Sequence, residues 1–297
     1  MNKLIVIVGP TSSKKTDLAL KIAKKFSLPI INADAFQVYK ELNCGTNKPS
    51  KEIIERYDIK LIHNISIYDE WNIAIFQKKA KEIIKNYHKN NKIPILVGGS
   101  NLYVDALIKN YDLSCATKRS HEYEKMTNES LYNLLLKLDK NEAKKISINN
   151  RNRLIRALQI IKSSKKQKSV KDQQKYSYAY KCLIIYPNIE RKQLYESINK
   201  NVQAMLSHGW KQEVIKLLEK DKYIYKLNAF KAIGYIDIYN AIINSTDIDI
   251  DKIAKKTRHY AKRQITWCLN QYQSLFNYKK GSNDIDLLQK IEKFIND

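Results

Sequence analysis

The chain has 297 residues with 54 Lys and Arg against 30 Asp and Glu, a formal net charge of +24 at pH 7. That length can bury one large core, or a core with an insertion. No apolar run reaches the length of a membrane span, and Cys44, Cys115, Cys182 and Cys268 lie too far apart for a zinc site or a disulfide framework.

The charge permits a polyanionic partner such as RNA. It does not name one, because a chain this rich in Lys, Ile, Asn and Tyr, with only 7 Gly and 5 Pro, would be basic from coding bias alone. The five histidines show no ligand spacing. Because the first residues already read as a core strand, no signal peptide is expected. A soluble cytoplasmic protein follows as the expectation.

Leu4–Val8 reads as a short apolar strand running into Gly9, Pro10, Thr11, Ser12, Ser13, Lys14, Lys15 and Thr16. Behind it Leu18, Ala19, Ile22, Ala23 and Phe26 recur at helical spacing. Strand, loop and helix in that order are the setting in which G-x-x-x-x-G-K-[ST] binds phosphate. Backbone N–H groups at the helix start wrap the anion, Lys15 adds a point charge, and Thr16 is the candidate ligand of Mg²⁺. Lys14 replaces the usual second glycine, which puts a side chain where the backbone passes closest to the anion and where φ is awkward for a non-glycine. The competing reading is a chance match on an ordinary strand-to-helix turn.

Pro29–Ala33 predicts a second strand that delivers Asp34 to the carboxyl end of the sheet. Three roles are open for this carboxylate: orienting Mg²⁺ in a kinase or hydrolase, accepting a proton from a nucleophile, or merely capping the next turn. Ile93–Val97 predicts a third strand, ended by Gly98 and Gly99, with a helix from about Asn101. Between Ser100 and Tyr186 there is no Gly or Pro. Leu131, Leu134, Leu135 and Leu138, then Leu154, Ile155, Leu158 and Ile161, repeat at helical spacing there.

Residues 113–180 therefore read as a helical insertion between core segments 1–112 and 181–297, with a polar, basic break over Ser163–Lys175. Cys182–Tyr186 predicts the fourth strand, and the rest reads as all helical. One helix spans about Arg191–Ser207, stopped by Gly209, and a last long one spans about Ile253–Phe276. The predicted fold class is α/β: a P-loop NTPase-like parallel sheet flanked by helices, with an all-helical insertion domain.

Set side by side, GPTSSKKT, ADAFQVY (Ala33–Tyr39), GTNKP (Gly45–Pro49), PILVGGSNLY (Pro94–Tyr103), RNRLIRAL (Arg151–Leu158), AIGY (Ala232–Tyr235) and TRHYAKRQITW (Thr257–Trp267) resemble the tRNA dimethylallyltransferases, or tRNA isopentenyltransferases. The resemblance covers nearly the whole chain. It implies transfer of a dimethylallyl group from dimethylallyl diphosphate to N6 of adenosine-37 in the tRNA anticodon stem-loop, which is flipped into a channel between core and insertion.

On this resemblance Asp34 is the base and Ser100, in place of a threonine, lies near the reacting amine. The loop Gly9–Thr16 and Asn201 hold the diphosphate, with Mg²⁺ at Thr16. Asp34, Ala35, Phe36, Gln37 and Ser100 meet the tRNA, as do Asn152, Arg153, Leu154, Ile155 and Arg156 of the insertion and the basic cluster Arg258, Lys262 and Arg263. Without the resemblance, Arg153 and Arg156 read as a solvated basic helix face, and the aromatic residues near the basic cluster, Trp267 above all, as core packing.

The departures are Lys14, Ser100, Asn101 where the family has glycine, and Asn201 where it has an arginine that reaches the pyrophosphate. Asn101 is expected to tilt the Ser100 hydroxyl, and Lys200 or Lys14 to supply the missing charge. Two other readings stay open: a tRNA-binding homologue with weakened chemistry, and a P-loop kinase with an arginine-rich lid. A monomer is the default.

Overall fold

The computed structural model describes residues 2–113, 121–164, 177–272 and 274–297. It divides into two compact units, residues 1–108 with 178–297, and residues 109–177; the sequence reading put these junctions at 112 and 181.

The larger unit is built on a five-stranded sheet in the order β2-β3-β1-β4-β5. Its strands are β1 (Lys3–Ile7), β2 (Ile30–Asn32), β3 (Ile95–Val97), β4 (Lys181–Pro187) and β5 (Leu275–Tyr278). Every pairing is parallel, with Ile5 opposite both Ile95 and Leu183. A parallel sheet is covered on both faces, which is why its strands are apolar runs with no polar alternation. Leu4, Val6 and Val8 enter one layer of the core and Ile5 and Ile7 the other, and all five are fully buried. Burying each of these side chains contributes about 1.5–3 kcal/mol.

Helices α1 (Lys15–Phe26) and α12 (Asp284–Asn296) cover the Ile5 and Ile7 face through Leu18, Ile22, Leu287 and Ile291. The opposite face packs on α3 (Ile73–Lys89), α4 (Asn101–Ile108), α9 (Trp210–Lys220), α10 (Tyr235–Ile243) and α11 (Ile250–Gln271), with a short α2 (Lys51–Arg56) and α8 (Arg191–Ser207) completing the unit.

Strand β5 corrects the expectation of a long helix to Phe276. The helix stops at Gln271, and Leu275 and Phe276 pair with Ile184 and Ile185 instead. A four-residue, half-exposed edge strand directly after a helix carries too little periodicity to announce itself. Helix α8 runs Arg191–Ser207 as expected, and Gly209 follows at φ 100°.

The smaller unit contains α5 (Asn128–Leu138), α6 (Lys140–Ala143) and α7 (Arg151–Ser164). Leu131, Leu135, Ala143, Leu154, Ala157 and Leu158 form its core. Ser163 and Ser164 close α7 rather than open a loop, while residues 165–175 of the expected break, like Cys115, lie outside the described residues. Among the described residues no helix is long and apolar enough to cross a membrane.

Candidate active site

The loop after β1 is shaped by backbone conformation. Gly9 sits at φ 151°, and both Ser12 (φ 60°) and Lys14 (φ 58°) are left-handed. The expectation that position 14 wants a glycine is met: Lys14 is the αL residue immediately before α1 and forms no side-chain cap. Such a residue is strained by about 1–2 kcal/mol. Lys14→Gly is expected to stabilise the protein by up to about 1 kcal/mol, a rise of roughly 2 °C in a thermal melt.

Lys15 is 9 % exposed and donates from Nζ to the Pro10 carbonyl and to Ser13 Oγ at 3.5 Å. Burial pushes its pKa down to about 8, opposed by the nearby Asp34 carboxylate.

Asp34 sits in the turn after β2. Its Oδ1 accepts from the N–H groups of Phe36 (2.9 Å) and Gln37 (3.2 Å), while Oδ2 takes no hydrogen bond among the described residues. The turn-capping and proton-accepting roles are therefore compatible, one for each oxygen. Ser100 Oγ accepts from Ala35 N–H at 2.9 Å, so the turn carrying Asp34 is pinned to the loop after β3. Gly98 allows that approach, because a Cβ there would lie 2.4 Å from the Ala33 carbonyl group.

The Asn101 side chain does not disturb Ser100. It is buried and turned toward α11, donating from Nδ2 to the Gln264 carbonyl at 3.2 Å and meeting Cys268 Sγ at 3.7 Å.

These elements enclose a cavity of about 420 Å³ lined by Thr11–Thr16, Asp34, Gln37 and Asn201. Lys48, Ser197, Tyr260 and Gln264 join them. Asn201 Nδ2 and Ser197 Oγ both approach Ser12, at 3.4 Å, so α8 leans on the phosphate loop. Of the two lysines proposed to compensate for Asn201, Lys14 lines the cavity and Lys200 does not.

Lys48 supplies a further charge. Its Nζ donates to the Tyr39 carbonyl and to Asn43 Oδ1 (3.1 Å), and burial pushes its pKa down to about 8 against the pull of Glu213, Glu41 and Asp34. Burial also raises the phenol pKa values of Tyr103 and Tyr260, and Asp34 adds to both. Both stay neutral O–H groups, that of Tyr260 donating to the Gly99 carbonyl at 3.3 Å.

Glu213 organises the Lys48 loop, which sequence reasoning missed. It accepts from Asn43 N–H (2.8 Å), Cys44 N–H (2.9 Å) and the Tyr235 hydroxyl (2.6 Å). Gly45 packs on the Trp210 indole, where a Cβ would fall 2.0 Å from Nε1. The GTNKP and AIGY segments thus meet through α9. Gln37 holds the same loop, donating to the Thr46 (3.0 Å) and Asn47 (3.3 Å) carbonyls.

The remaining predicted residues lie elsewhere. Phe36 packs against the core. Arg258 Nη1 donates to Asn199 Oδ1 at 2.6 Å, and Lys262 and Arg263 are exposed. Trp267 is not core packing: it is half-buried and donates from Nε1 to Asp105 Oδ2 at 2.9 Å. In the smaller unit Asn152 and Arg153 are exposed and Arg156 half-buried. Leu154 is fully buried and Ile155 packs against the same core. Helical spacing of i, i+3 and i+4 turns Leu154 inward with Ala157 and Leu158, so its side chain is not available to tRNA, while Ile155 is half-buried. Arg151 is structural, donating to the carbonyls of Tyr123 (3.1 Å), Glu124 (2.6 Å) and Met126 (2.6 Å).

A family model described as IPP transferase matches residues 37–271. The tRNA dimethylallyltransferase of Malacoplasma penetrans is 40% identical over 297 residues, covering 99% of this chain and 98% of the relative. That of Mycoplasmoides gallisepticum is 39% identical over 289 residues, covering 93% and 92%. Among solved structures, the tRNA delta(2)-isopentenylpyrophosphate transferase of Staphylococcus epidermidis is similar at TM-score 0.72 and 33% identity, over 100% of this chain and 99% of that one. A eukaryotic dimethylallyltransferase acting on tRNA matches at TM-score 0.86 and 25% identity, over 100% and 80%. With similarity of this extent in both sequence and fold, the chain belongs to the IPP transferase family, beside the tRNA dimethylallyltransferases.

Proposed function

We propose that this protein transfers the dimethylallyl group of dimethylallyl diphosphate to N6 of adenosine-37 in tRNA and releases pyrophosphate. The observation that carries the reading is the shared cavity: the phosphate loop with Lys15 forms one wall, and Asp34 faces it. An exocyclic amine is a poor nucleophile, because its lone pair is delocalised into the purine. As N6 bonds to C1 of the donor, Oδ2 of Asp34 takes the N6 proton, and the electron pair of the breaking C1–O bond leaves on the diphosphate. Negative charge grows on that leaving group, where Lys15, Lys14, Lys48 and the Asn201 amide line the same cavity.

The donor set suits Mg²⁺. Thr16 lines the cavity, and among the described residues no group of three or more His, Cys, Asp or Glu could cage a metal. A hydroxyl plus diphosphate oxygens and water is a normal Mg²⁺ shell. Thr16 would hold the ion, which when bound supplies further positive charge against the leaving diphosphate.

The tRNA contacts follow from exposure and position. Gln37 and Ser100 meet the flipped base beside Asp34, with Ala35 and Phe36 contributing the turn that carries it. Asn152, Arg153, Arg156, Lys262, Arg263 and Arg258 meet the backbone. The protein acts as a monomer on cytoplasmic tRNA.

The kinase reading loses its support here, since no arginine lines the cavity among the described residues and Tyr260 and Gln264, from the TRHYAKRQ segment, do. The weakened-homologue reading rests on Lys14 and Asn201; against it stand the charges of Lys14, Lys15 and Lys48, which line the same cavity. Incubation with dimethylallyl diphosphate, Mg²⁺ and an unmodified stem-loop carrying three adenosines after the anticodon is expected to yield N6-dimethylallyladenosine by mass spectrometry. Asn201→Arg is expected to change the rate by less than about threefold, since the lost charge is already replaced. Pyrophosphate binding without any product would sink the transferase reading, and a rate gain of about 10²-fold or more in Asn201→Arg would revive the weakened one.

A further inference from the structure

We infer that Gln264 is a positioning residue whose side-chain amide holds the phosphate loop in register with the loop that locates the catalytic carboxylate. The inference rests on the transfer reading above and adds a role for a residue remote from both loops in sequence. Gln264 is 3 % exposed, and its amide is used at both ends. Oε1 accepts from Thr11 N–H at 2.8 Å and Nε2 donates to the Gly99 carbonyl at 2.8 Å. From Gly99 the linkage continues along the chain to Ser100, whose Oγ accepts from Ala35 N–H, and then to the Asp34 turn. The diphosphate cradle and the base are thus joined through one side chain.

The site is built around that amide. A Cβ on Gly99 would lie 2.6 Å from Nε2, so position 99 has to be glycine for Gln264 to reach its carbonyl. Tyr260, one helical turn earlier on α11, donates its hydroxyl to the same carbonyl at 3.3 Å. Asn101 fixes the backbone of α11 at Gln264.

An amide offers an acceptor and a donor on a short planar fork in its ordinary uncharged state. Glutamate keeps the acceptor for Thr11 but, when ionised, has no proton for Gly99. Methionine keeps the length and loses both. Because an N6 attack needs the base, amine and C1 aligned to a fraction of an ångström, a shift of about 1 Å between the two loops costs on the order of 10²-fold in rate.

The test compares the full-length wild type with Gln264→Met and Gln264→Glu, measuring melting temperature, transfer kinetics at pH 8, and amide hydrogen exchange over residues 9–16 and 98–101. Gln264→Met is expected to melt close to wild type, to lose about 10²-fold in kcat with KM for each substrate within about threefold, and to exchange faster in both segments. Gln264→Glu is expected to match it at pH 8, since the ionised carboxylate has no proton for the Gly99 carbonyl and the Lys15 ammonium close to that position favours the ionised form. Unchanged exchange, a rise in KM at constant kcat, or a Glu variant as active as wild type at pH 8 each overturn the proposal. A wild type without transferase activity sinks the functional reading alone, and the exchange data then decide the clamp by themselves.

Discussion

Asp34→Asn is expected to lower kcat for dimethylallyl transfer by about 10²–10⁴-fold, with the fold and pyrophosphate affinity left near wild type. The substitution separates the two oxygens. An asparagine can keep Oδ1 as the acceptor for Phe36 and Gln37 N–H, so the turn survives, while the position of Oδ2 becomes an NH₂ group that cannot take a proton. Asp34→Ala should lose the rate and the turn together, adding a stability loss of about 1 kcal/mol. A capping-only Asp34 predicts the reverse pattern, with Asn nearly as active as wild type and Ala impaired in proportion to its melting temperature. Single-turnover transfer and thermal melts on both variants distinguish the two. An Asn variant within about tenfold of wild type would remove Asp34 from the chemistry.

What could be read in the sequence was whatever is local. Four of the five strands were legible because a parallel strand buried on both faces is a short apolar run, as Leu4–Val8 is. The strand-loop-helix at Leu4–Phe26 was legible from its pattern, down to the awkward φ of Lys14. Strand β5 was hidden: Leu275–Tyr278 lies half-exposed at an edge, and only pairing with β4 defines it.

In the site, the residues that could be named lie in contiguous motifs, apart from Asn201. Those that were missed act across the chain. Gln264 meets Thr11 across 253 positions and Glu213 meets Asn43 across 170, and no spacing rule reaches that far. Leu154 shows the opposite failure, where a motif suggested ligand contact but the helical period of α7 turned its side chain into the core.

Pyrophosphate affinity is expected to fall as the pH rises through 8. In the ligand-free protein burial has brought Lys15 down to about 8, so the group is an ammonium below that value and a neutral amine above it. Binding a diphosphate requires the ammonium, and above pH 8 the protein must take up a proton to bind. For one such group the ammonium fraction, and with it the affinity, drops roughly tenfold between pH 7 and pH 9. Lys48 is held at about 8 by the same cause and steepens the limb.

Lys15→Met is therefore expected to bind pyrophosphate more weakly at pH 7 and to show a shallower decline, with Lys48 alone titrating in that range. Its kcat should fall by about 10²–10³-fold, because charge on the leaving group is greatest in the transition state. Calorimetric titration of pyrophosphate into wild type and Lys15→Met from pH 7 to pH 9, in buffers of different ionisation enthalpy, reads both the affinity and the proton uptake. A wild-type affinity flat over that range, with no proton taken up at pH 9, would mean that Lys15 stays charged in the empty site and that its burial does not govern binding.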